Sequence, residues 1–292
     1  MNSGTGHIRN RYKQFNMIRK IIRKTISTLE TEQHVSILSK EYVLENKTSK
    51  ENVRLLIKKL HPYDIGKRLI RLGSKRDGGY LVPDDLEEIK ACFSPGVSTV
   101  SDFELDCHKL GMQIFLADKS VDKPRIKLAD NKYHFLKKHV GCFNNLDFIT
   151  LETWVESSKI GNQNDLMLQM DIEGAEYITL INMSDSLMKL FRIIVIEFHN
   201  LHKIWNEEFY NIASIAFEKI LQNHTCVHIH PNNFSQLNVH NGIEIPMVAE
   251  FTFIRNDRIL KKSPQKSFPH PLDSDNSKER NHIKLPKNWY NA

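Results

Sequence analysis

The sequence alternates short apolar runs with amphipathic stretches from about residue 69 to residue 255. Helical spacing is found at residues 101–110, 175–180 and 209–221, between several of the apolar runs. Alternating strands and helices predict an α/β fold with a mainly parallel sheet that is covered on both faces. Seven runs are predicted as strands: 91–94, 113–117, 147–150, 166–170, 192–198, 225–230 and 248–254.

The last predicted strand follows its predecessor through a loop with Gly, Pro and Asn but without a helical pattern. A helical crossover is the usual way to bring the chain back for a parallel strand. We therefore expect the last strand to run antiparallel to the others.

The composition excludes several classes of protein. The 292 residues are 40% hydrophobic and 26% charged, which is typical of a globular chain that buries a sizeable core. The four cysteines are widely spaced, so neither a disulfide framework nor a cysteine zinc site is expected, and a reducing cytoplasm is predicted. Neither an apolar run of roughly eighteen residues nor a signal-peptide pattern is found, so a membrane span and export are not expected.

The charge is unevenly distributed. Residues 1–60 carry +8 and residues 261–292 carry +4, which leaves −6 on the 200 residues between them. Because phosphate binding needs a concentrated basic surface, the acidic centre argues against a nucleic-acid partner.

Both ends of the chain are predicted to differ from the central region. From Met17 to Leu29, apolar residues at helical spacing are interleaved with Lys and Arg, which predicts an amphipathic helix. This helix is expected to pack on its own domain or on a partner subunit, or to lie on an anionic membrane surface at the inner face of the cell membrane. A second helix is predicted from Ser49 to Leu60, and a Pro-rich tail without periodicity follows Lys261, with Trp289 and Tyr290 able to dock its end. The predicted divisions are residues 1–67, 68–260 and 261–292.

Polar residues follow the predicted strands repeatedly, which matters because ligands bind at the carboxyl ends of strands in an open parallel sheet. Gly96 in the first strand-to-helix turn would let a ligand approach the backbone. Asp118 lies 22 residues further on, the spacing at which a carboxylate binds ribose hydroxyls. Without a G-x-G-x-x-G cradle for a pyrophosphate, the pattern favours S-adenosylmethionine over NAD, although an Asp in this position is also common as a turn or cap residue.

Acidic residues and histidines at the later strand ends predict a divalent metal site or a general base. They form pairs two residues apart: Asp171 and Glu173, Glu197 and His199, and His228 and His230. The tentative metal ligands are Asp171, Glu197 and His199. The alternative is that Glu173 and Glu176 cap a helix and that one histidine bonds a backbone carbonyl.

Several segments together resemble the FkbM-type S-adenosylmethionine-dependent methyltransferases, in particular the branch associated with bacterial surface glycans. The matching segments lie between residues 68 and 256, and the most specific are D-I-E-G-A-E at 171–176 and H-I-H-P-N-N at 228–233. The others are the loop from Arg71 to Tyr80, F-S-P-G-V at 93–97 with Asp102, Phe103 and Glu104, I-E-F-H at 196–199, and Ile245-Pro246 leading to Glu250-Phe251-Thr252.

The resemblance implies a class I methyltransferase fold, a Rossmann-like seven-stranded sheet with an antiparallel last hairpin. It implies that the cofactor is surrounded by Asp77, Gly78, Gly79, Tyr80, Ser94, Pro95, Gly96, Val97, Phe103, Glu104, Asp118 and Asp171. The residues implied on the acceptor side are Asp171, Glu173, Glu197, His199, His230 and Asn232.

We therefore expect a sugar O-methyltransferase that acts on a nucleotide-linked or lipid-linked glycan precursor, with His199 or His230 as base or a metal that acidifies the hydroxyl. A D-G-G turn such as 77–79 is ordinarily a hairpin turn, but the resemblance suggests that it also closes over the ligand. Two alternatives stay open. One is a metal-dependent phosphoesterase or hydrolase built on Asp171, Glu197, His199, His228 and His230, and the other is a silent scaffold that binds a partner or a membrane.

Overall fold

The computed structural model describes residues 46–97, 100–161 and 164–291. The predicted helix between Met17 and Leu29 lies outside these ranges. Residues 47–292 form one compact unit, which includes the helix at 50–59 and the C-terminal tail. Within the described ranges, no helix is long and apolar enough to cross a membrane.

A seven-stranded sheet forms the centre of the molecule. Its strands are β1 (Ala91–Pro95), β2 (Gln113–Ala117), β3 (His134–Leu136), β4 (Leu166–Met170), β5 (Phe191–Phe198), β6 (His224–Pro231) and β7 (Ala249–Arg255). They are arranged in the order β6-β7-β5-β4-β1-β2-β3. β7 runs antiparallel to both of its neighbours, β5 and β6, and the other strand pairs of this sheet are parallel, so the predicted α/β class and the antiparallel last strand are confirmed.

One predicted strand has a different place. Residues Phe148–Thr150 are extended, but they pair with His139–Gly141 in a separate two-stranded ladder. The edge position of the main sheet is taken by β3, which the sequence pattern does not predict. A three-residue strand with polar neighbours is too short to produce a periodic signal, so its place depends on pairing with β2.

The α-helices within the described residues are α1 (Lys50–Lys59), α2 (Asp102–Lys109), α3 (Leu151–Ser157), α4 (Glu176–Asn182), α5 (Asp185–Leu190) and α6 (Glu207–Asn223). Local capping explains several of their first residues. The side chains of Ser49, Ser184 and Asn206 accept backbone N–H groups at the starts of α1, α5 and α6. The sequence pattern predicts α1, α2, α4 and α6 but not the short helices α3 and α5.

The two faces of the sheet are covered by different elements. One apolar core combines sheet residues such as Phe93 and Ile196 with α1, α3, α4, α5 and α6. The other combines Met167 and Val195 with α2 and a hairpin of strands Leu69–Gly73 and Gly79–Pro83. The D-G-G segment therefore does belong to a hairpin, and its loop lies over the second face.

Smaller elements complete the structure. A second hairpin, Leu237–His240 with Ile243–Pro246, lies in the connection from β6 to β7, and Tyr63–Asp64 pairs with Ser263–Pro264. The tail is mostly irregular apart from the short strand Ser263–Pro264 and 3₁₀ turns such as Lys287–Trp289. Trp289 is 1% exposed and packs in the core, so the end of the tail is docked.

Candidate functional site

The strand order changes direction between β1 and β4. From β1 the chain proceeds outward through β2 to β3, and β4 then returns to the other side of β1. In open α/β sheets the loops diverge at such a point and leave a crevice at the carboxyl ends of the strands. Gly96 follows β1 and Asp171 follows β4, so the two residues lie at this crevice.

Close backbone packing at the crevice requires glycine. Gly96 has a φ of +87°, and a Cβ atom added to it would lie 1.5 Å from the carbonyl oxygen of Asp171. The two loops are also joined by a hydrogen bond in which the Asp171 N–H donates to the carbonyl of Pro95. The S-P-G-V segment thus brings the first loop against the second.

Two pockets meet at Gly96 and Asp171. The wide pocket, of about 360 Å³, has Ala117, Val140, Phe148 and Ile172 in its walls together with Asp118 and His139. The narrow pocket, of about 60 Å³, is lined by Asp77, Gly78, Tyr80, Val97, Phe103, Glu104 and Gln169. Most of the cofactor residues implied by the resemblance therefore line one or the other of these two pockets. Ser94 and Pro95 belong to strand β1, and Gly79 is the first residue of a hairpin strand.

A buried hydrogen-bonded chain lies under the narrow pocket. The Ser94 hydroxyl is 2.5 Å from Glu104 Oε1 and 2.6 Å from Gln169 Oε1, and the Gln169 amide donates to the Tyr80 hydroxyl at 3.2 Å. Burial raises the pKa of Glu104 to about 7. Its other oxygen, Oε2, is buried and has no hydrogen-bond partner among the described residues. This carboxylate is therefore a ready acceptor for a donor group in the narrow pocket.

Asp118 is 7% exposed and lies in the wall of the wide pocket. Its Oδ1 accepts the backbone N–H of Ser120 at 2.7 Å and the Ser120 hydroxyl at 2.6 Å. The residue therefore has the turn role that the sequence left open, and it also faces the space where a ligand would lie. The two roles use one side chain and do not conflict.

The His199 imidazole lies among four carboxylates. Its Nδ1 is 3.1 Å from Glu176 Oε1, and the same oxygen accepts the backbone N–H groups of Ile172 and Gly174. Its Nε2 is 3.4 Å from Glu173 Oε2 and 3.9 Å from both Asp171 Oδ1 and Glu197 Oε1. Glu176 thus caps the turn before α4, the role that the sequence analysis considers for it, and it also contacts the histidine, which the sequence does not predict.

The protonation of this cluster is shifted in a consistent way. Burial, together with Glu173 and Glu176, raises the pKa of Asp171 to about 7 against the opposing charge of His199. Burial and the carboxylate of Asp171 hold the pKa of Glu197 well above its usual range. Burial alone would lower the pKa of His199, but the carboxylates around it outweigh that effect and raise the pKa. The cluster therefore favours bound protons or other positive charge.

A row of polar side chains crosses three strands beside this cluster. Glu197 on β5 lies opposite Glu250 on β7, which lies opposite His230 on β6. The Asn232 amide donates to Glu197 Oε1 at 2.8 Å. Burial raises the pKa of Glu250 to about 7, although His230 and Asn276 oppose the shift. Asn232 thus holds an acidic side chain in place with one of its amide hydrogens.

The C-terminal tail contributes residues that the sequence analysis does not identify. Asp273 Oδ1 is 2.8 Å from His228 Nε2, and Oδ2 is 3.7 Å from His230 Nδ1. The Asn276 amide donates to Asp77 Oδ1 at 3.1 Å and to Glu250 Oε1 at 2.8 Å. In a segment rich in Pro and polar residues, no local pattern distinguishes these two from solvent-exposed neighbours, so sequence periodicity offers no signal for them.

The structure separates the three histidines of the predicted site, His199, His228 and His230, into two groups. Among the described residues, the acidic and imidazole side chains close enough to share one metal ion are Asp171, Glu173 and His199, with ligand atoms within 4.8 Å of one another. His228 and His230 contact Asp273 instead. A single five-residue centre, as the hydrolase alternative requires, is not favoured by this arrangement.

Comparisons with known proteins add little. No protein-family model matches the sequence, and no curated protein matches it. A solved structure of a proposed RNA methyltransferase from Pyrococcus horikoshii is similar at 11% identity and a TM-score of 0.31, over 71% of this chain and 99% of that one. A similarity this weak supports no conclusion about fold or function, so the resemblance to the FkbM-type enzymes stays a prediction.

Proposed function

We propose that the protein is an S-adenosylmethionine-dependent O-methyltransferase that acts on a hydroxyl of a sugar or glycan precursor. The observation that carries this proposal is the pair of pockets that share Gly96 and Asp171, with a carboxylate in the lining of each. The order of the sheet strands is compatible with the class I fold implied by the resemblance. The sequence motifs and the geometry are thus independent arguments for the same site.

The two pockets suit the two ends of this cofactor. The wide pocket has apolar walls for an adenine ring, and Asp118 can accept hydrogen bonds from vicinal ribose hydroxyls. The narrow pocket presents the unpartnered Oε2 of Glu104, which would accept a hydrogen bond from the ammonium group of the methionine end. When bound, S-adenosylmethionine supplies a methyl group attached to a positively charged sulfur. The acidic side chains near Asp171 favour this charge.

The acceptor side must hold a hydroxyl in line with the donor and remove its proton. His199 suits this role because Glu176 holds its Nδ1 and leaves Nε2 facing Asp171. His230 is the second candidate base, since its Nε2 has no hydrogen-bond partner in the described part of the chain. Asn232 and Asn233 are already bonded to Glu197 and to Ser277, so they shape this region rather than offering all their amide hydrogens to a sugar.

Binding of S-adenosylhomocysteine tests the cofactor assignment. We expect calorimetric titration to show binding of this compound and none of NADH. The Asp118→Ala variant should bind about 10–100-fold more weakly, because hydrogen bonds to a charged group contribute roughly 1.5–3 kcal/mol. Asp122→Ala, which removes a carboxylate with 95% side-chain exposure, is the matched control and should bind normally. A protein that binds NADH but does not bind S-adenosylhomocysteine would contradict the proposal.

Mass spectrometry of nucleotide sugars incubated with the protein and labelled S-adenosylmethionine tests the acceptor class. The expected product carries one added methyl group. The Asp171→Ala variant should form no product. Near wild-type methylation by this variant would show that methyl transfer does not need Asp171.

A further inference from the structure

We infer that Asp171, Glu173 and His199 form a binding site for one divalent cation of the Mg²⁺ or Mn²⁺ class beside the point where the wide and narrow pockets meet. This inference deepens the proposed function by naming what activates the hydroxyl, and that part rests on the proposed function. Cation binding itself does not depend on it. The site consists of side chains from the loop after β4 and from the end of β5.

The spacing of the candidate ligand atoms suits an ion. His199 Nε2 is 3.4 Å from Glu173 Oε2, longer than a typical hydrogen bond, and 3.9 Å from Asp171 Oδ1, which is too long for one. Atoms bound to one octahedral Mg²⁺ lie about 3.0 Å apart when adjacent and about 4.2 Å apart when opposite, since each bond is about 2.1 Å. The observed separations fall between these limits.

The orientation of the histidine is the second argument. Metal-binding histidines usually donate their other ring N–H to a carboxylate, which fixes the tautomer and the direction of the ring. Glu176, which is fully buried, is 3.1 Å from Nδ1 of His199. An Nδ1–H donated to Glu176 leaves the lone pair of Nε2 directed at the carboxylates of Asp171 and Glu173.

Unpartnered buried oxygens give a third, independent argument. Glu197 is 4% exposed, and its Oε2 has no hydrogen-bond partner within the ranges that the structure describes. Its Oε1 is 3.9 Å from His199 Nε2, which places the carboxyl group beside the proposed site. Asp171 Oδ1, one of the proposed ligand atoms, is likewise buried without a hydrogen bond to any described residue. Leaving several such oxygens buried and unbonded is costly, and a cation with bound water would satisfy them.

The ligand set indicates the class of cation. Two carboxylates suit Mg²⁺ and Mn²⁺, while one imidazole is also acceptable to Mn²⁺, and no thiolate belongs to the group. A divalent ion next to a hydroxyl lowers the pKa of that hydroxyl and so eases its deprotonation. The position beside Asp171, where both pockets meet, would place the ion near an acceptor.

Titration with MnCl₂, followed by electron paramagnetic resonance and calorimetry in the absence of any methyl donor, tests the site. We expect wild-type protein to bind one Mn²⁺ that Mg²⁺ displaces. The Glu176→Gln variant should bind about 10–100-fold more weakly, the usual effect of removing the carboxylate that orients a ligating histidine. The Glu173→Gln variant should also bind more weakly, and because this side chain is 86% exposed its loss does not threaten folding.

Glu208→Gln on the exposed surface of α6 is the matched control and should bind Mn²⁺ like wild type. The inference is overturned if wild-type protein shows no saturable binding, or if Glu173→Gln and wild type have equal affinity. Titration of the same samples with S-adenosylhomocysteine separates the two proposals. A protein that binds S-adenosylhomocysteine but does not bind Mn²⁺ would refute the cation site alone. A protein that binds Mn²⁺ but does not bind S-adenosylhomocysteine would refute the cofactor assignment alone.

Discussion

At the scale of single residues, Glu176 shows how one side chain can serve two purposes. One of its oxygens accepts two backbone N–H groups of the D-I-E-G-A-E turn and also contacts His199. Backbone capping alone would be satisfied by Asp, Asn or Ser, which are common at helix starts. The longer Glu reaches both the turn and the imidazole, so turn geometry and histidine orientation are coupled.

Gly96 and Gly111 form a matched pair for a stability test. Both have a left-handed backbone, with φ values of +87° and +92°. A Cβ on Gly96 would collide with the Asp171 carbonyl, whereas nothing lies within 4 Å of a Cβ on Gly111. Gly111→Ala should therefore cost only the conformational strain, about 1–2 kcal/mol. Gly96→Ala should cost about 3 kcal/mol or more, because overpacking adds to the same strain.

Urea unfolding of the two glycine variants measures this difference. The comparison isolates the contact between the β1 and β4 loops, since the backbone strain is common to both substitutions. Equal losses of stability would show that the two loops do not pack closely and would remove the structural basis of the crevice.

At the scale of elements, the tail fixes the hairpin loop over the second face of the sheet. The Ser274 hydroxyl donates to the carbonyl of Lys75, and the Asp77 N–H donates to the carbonyl of Asn276. The Asn276 side chain adds bonds to Asp77 and Glu250. The irregular tail thus positions one wall of the narrow pocket. Its sequence has no periodic pattern that would predict this role.

Removal of the Asn276 side chain should loosen that loop. We expect Asn276→Ala to lower the free energy of unfolding by about 1–3 kcal/mol, because Glu250 loses a buried hydrogen-bond donor. Hydrogen exchange of the Asp77 amide should become faster at the same time. Asn281→Ala in the same tail, where the residue is exposed, is the control and should change neither measurement. Unchanged exchange in the Asn276 variant would mean that the tail does not hold the loop.

The strands illustrate where local pattern suffices. β2 and β4 begin and end at the predicted residues, and β1, β5, β6 and β7 differ from prediction by at most one residue at either end. β1, β2, β4 and β5 consist largely of buried apolar residues, while apolar residues in β6 and β7 are interspersed with polar ones. Both patterns are typical of strands, so the sequence indicates all six. β3 has only three residues and joins the sheet through its pairing with β2, which no local pattern encodes.

At the scale of the whole molecule, burial of His224 predicts how stability depends on pH. Its Nε2 is 2.7 Å from the Phe191 carbonyl, and its Nδ1 is buried without a partner among the described residues. Burial lowers the pKa of His224 to about 4. Because an unfolded histidine titrates near 6.5, the unfolded chain binds the additional proton between these values. The contribution of His224 to stability is therefore full above pH 6.5 and is lost as the pH falls towards 4.

Urea unfolding of wild-type protein and of the His224→Gln variant at pH 7.5 and pH 4.5 tests this dependence, which wild type should show and the variant should lack. The expected extra loss of stability in wild type is roughly 2–3 kcal/mol, since each pKa unit corresponds to about 1.36 kcal/mol. His108→Gln, on the partly exposed end of α2, is the control and should keep the full wild-type pH dependence. A His224→Gln variant that loses as much stability as wild type would show that this histidine is not buried in its neutral form.

The sequence alone determined the α/β class, most strands, the antiparallel last strand and the placement of Gly96 and Asp171 after strands of the parallel sheet. These follow from hydrophobic periodicity and from the rule that strand ends of a parallel sheet share one edge. Tertiary structure decided which histidines face which carboxylates, and it brought Asp273 and Asn276 from the tail to the site. The physical reason is that side-chain pairing across distant segments depends on how the chain packs, which nearest neighbours in sequence do not specify.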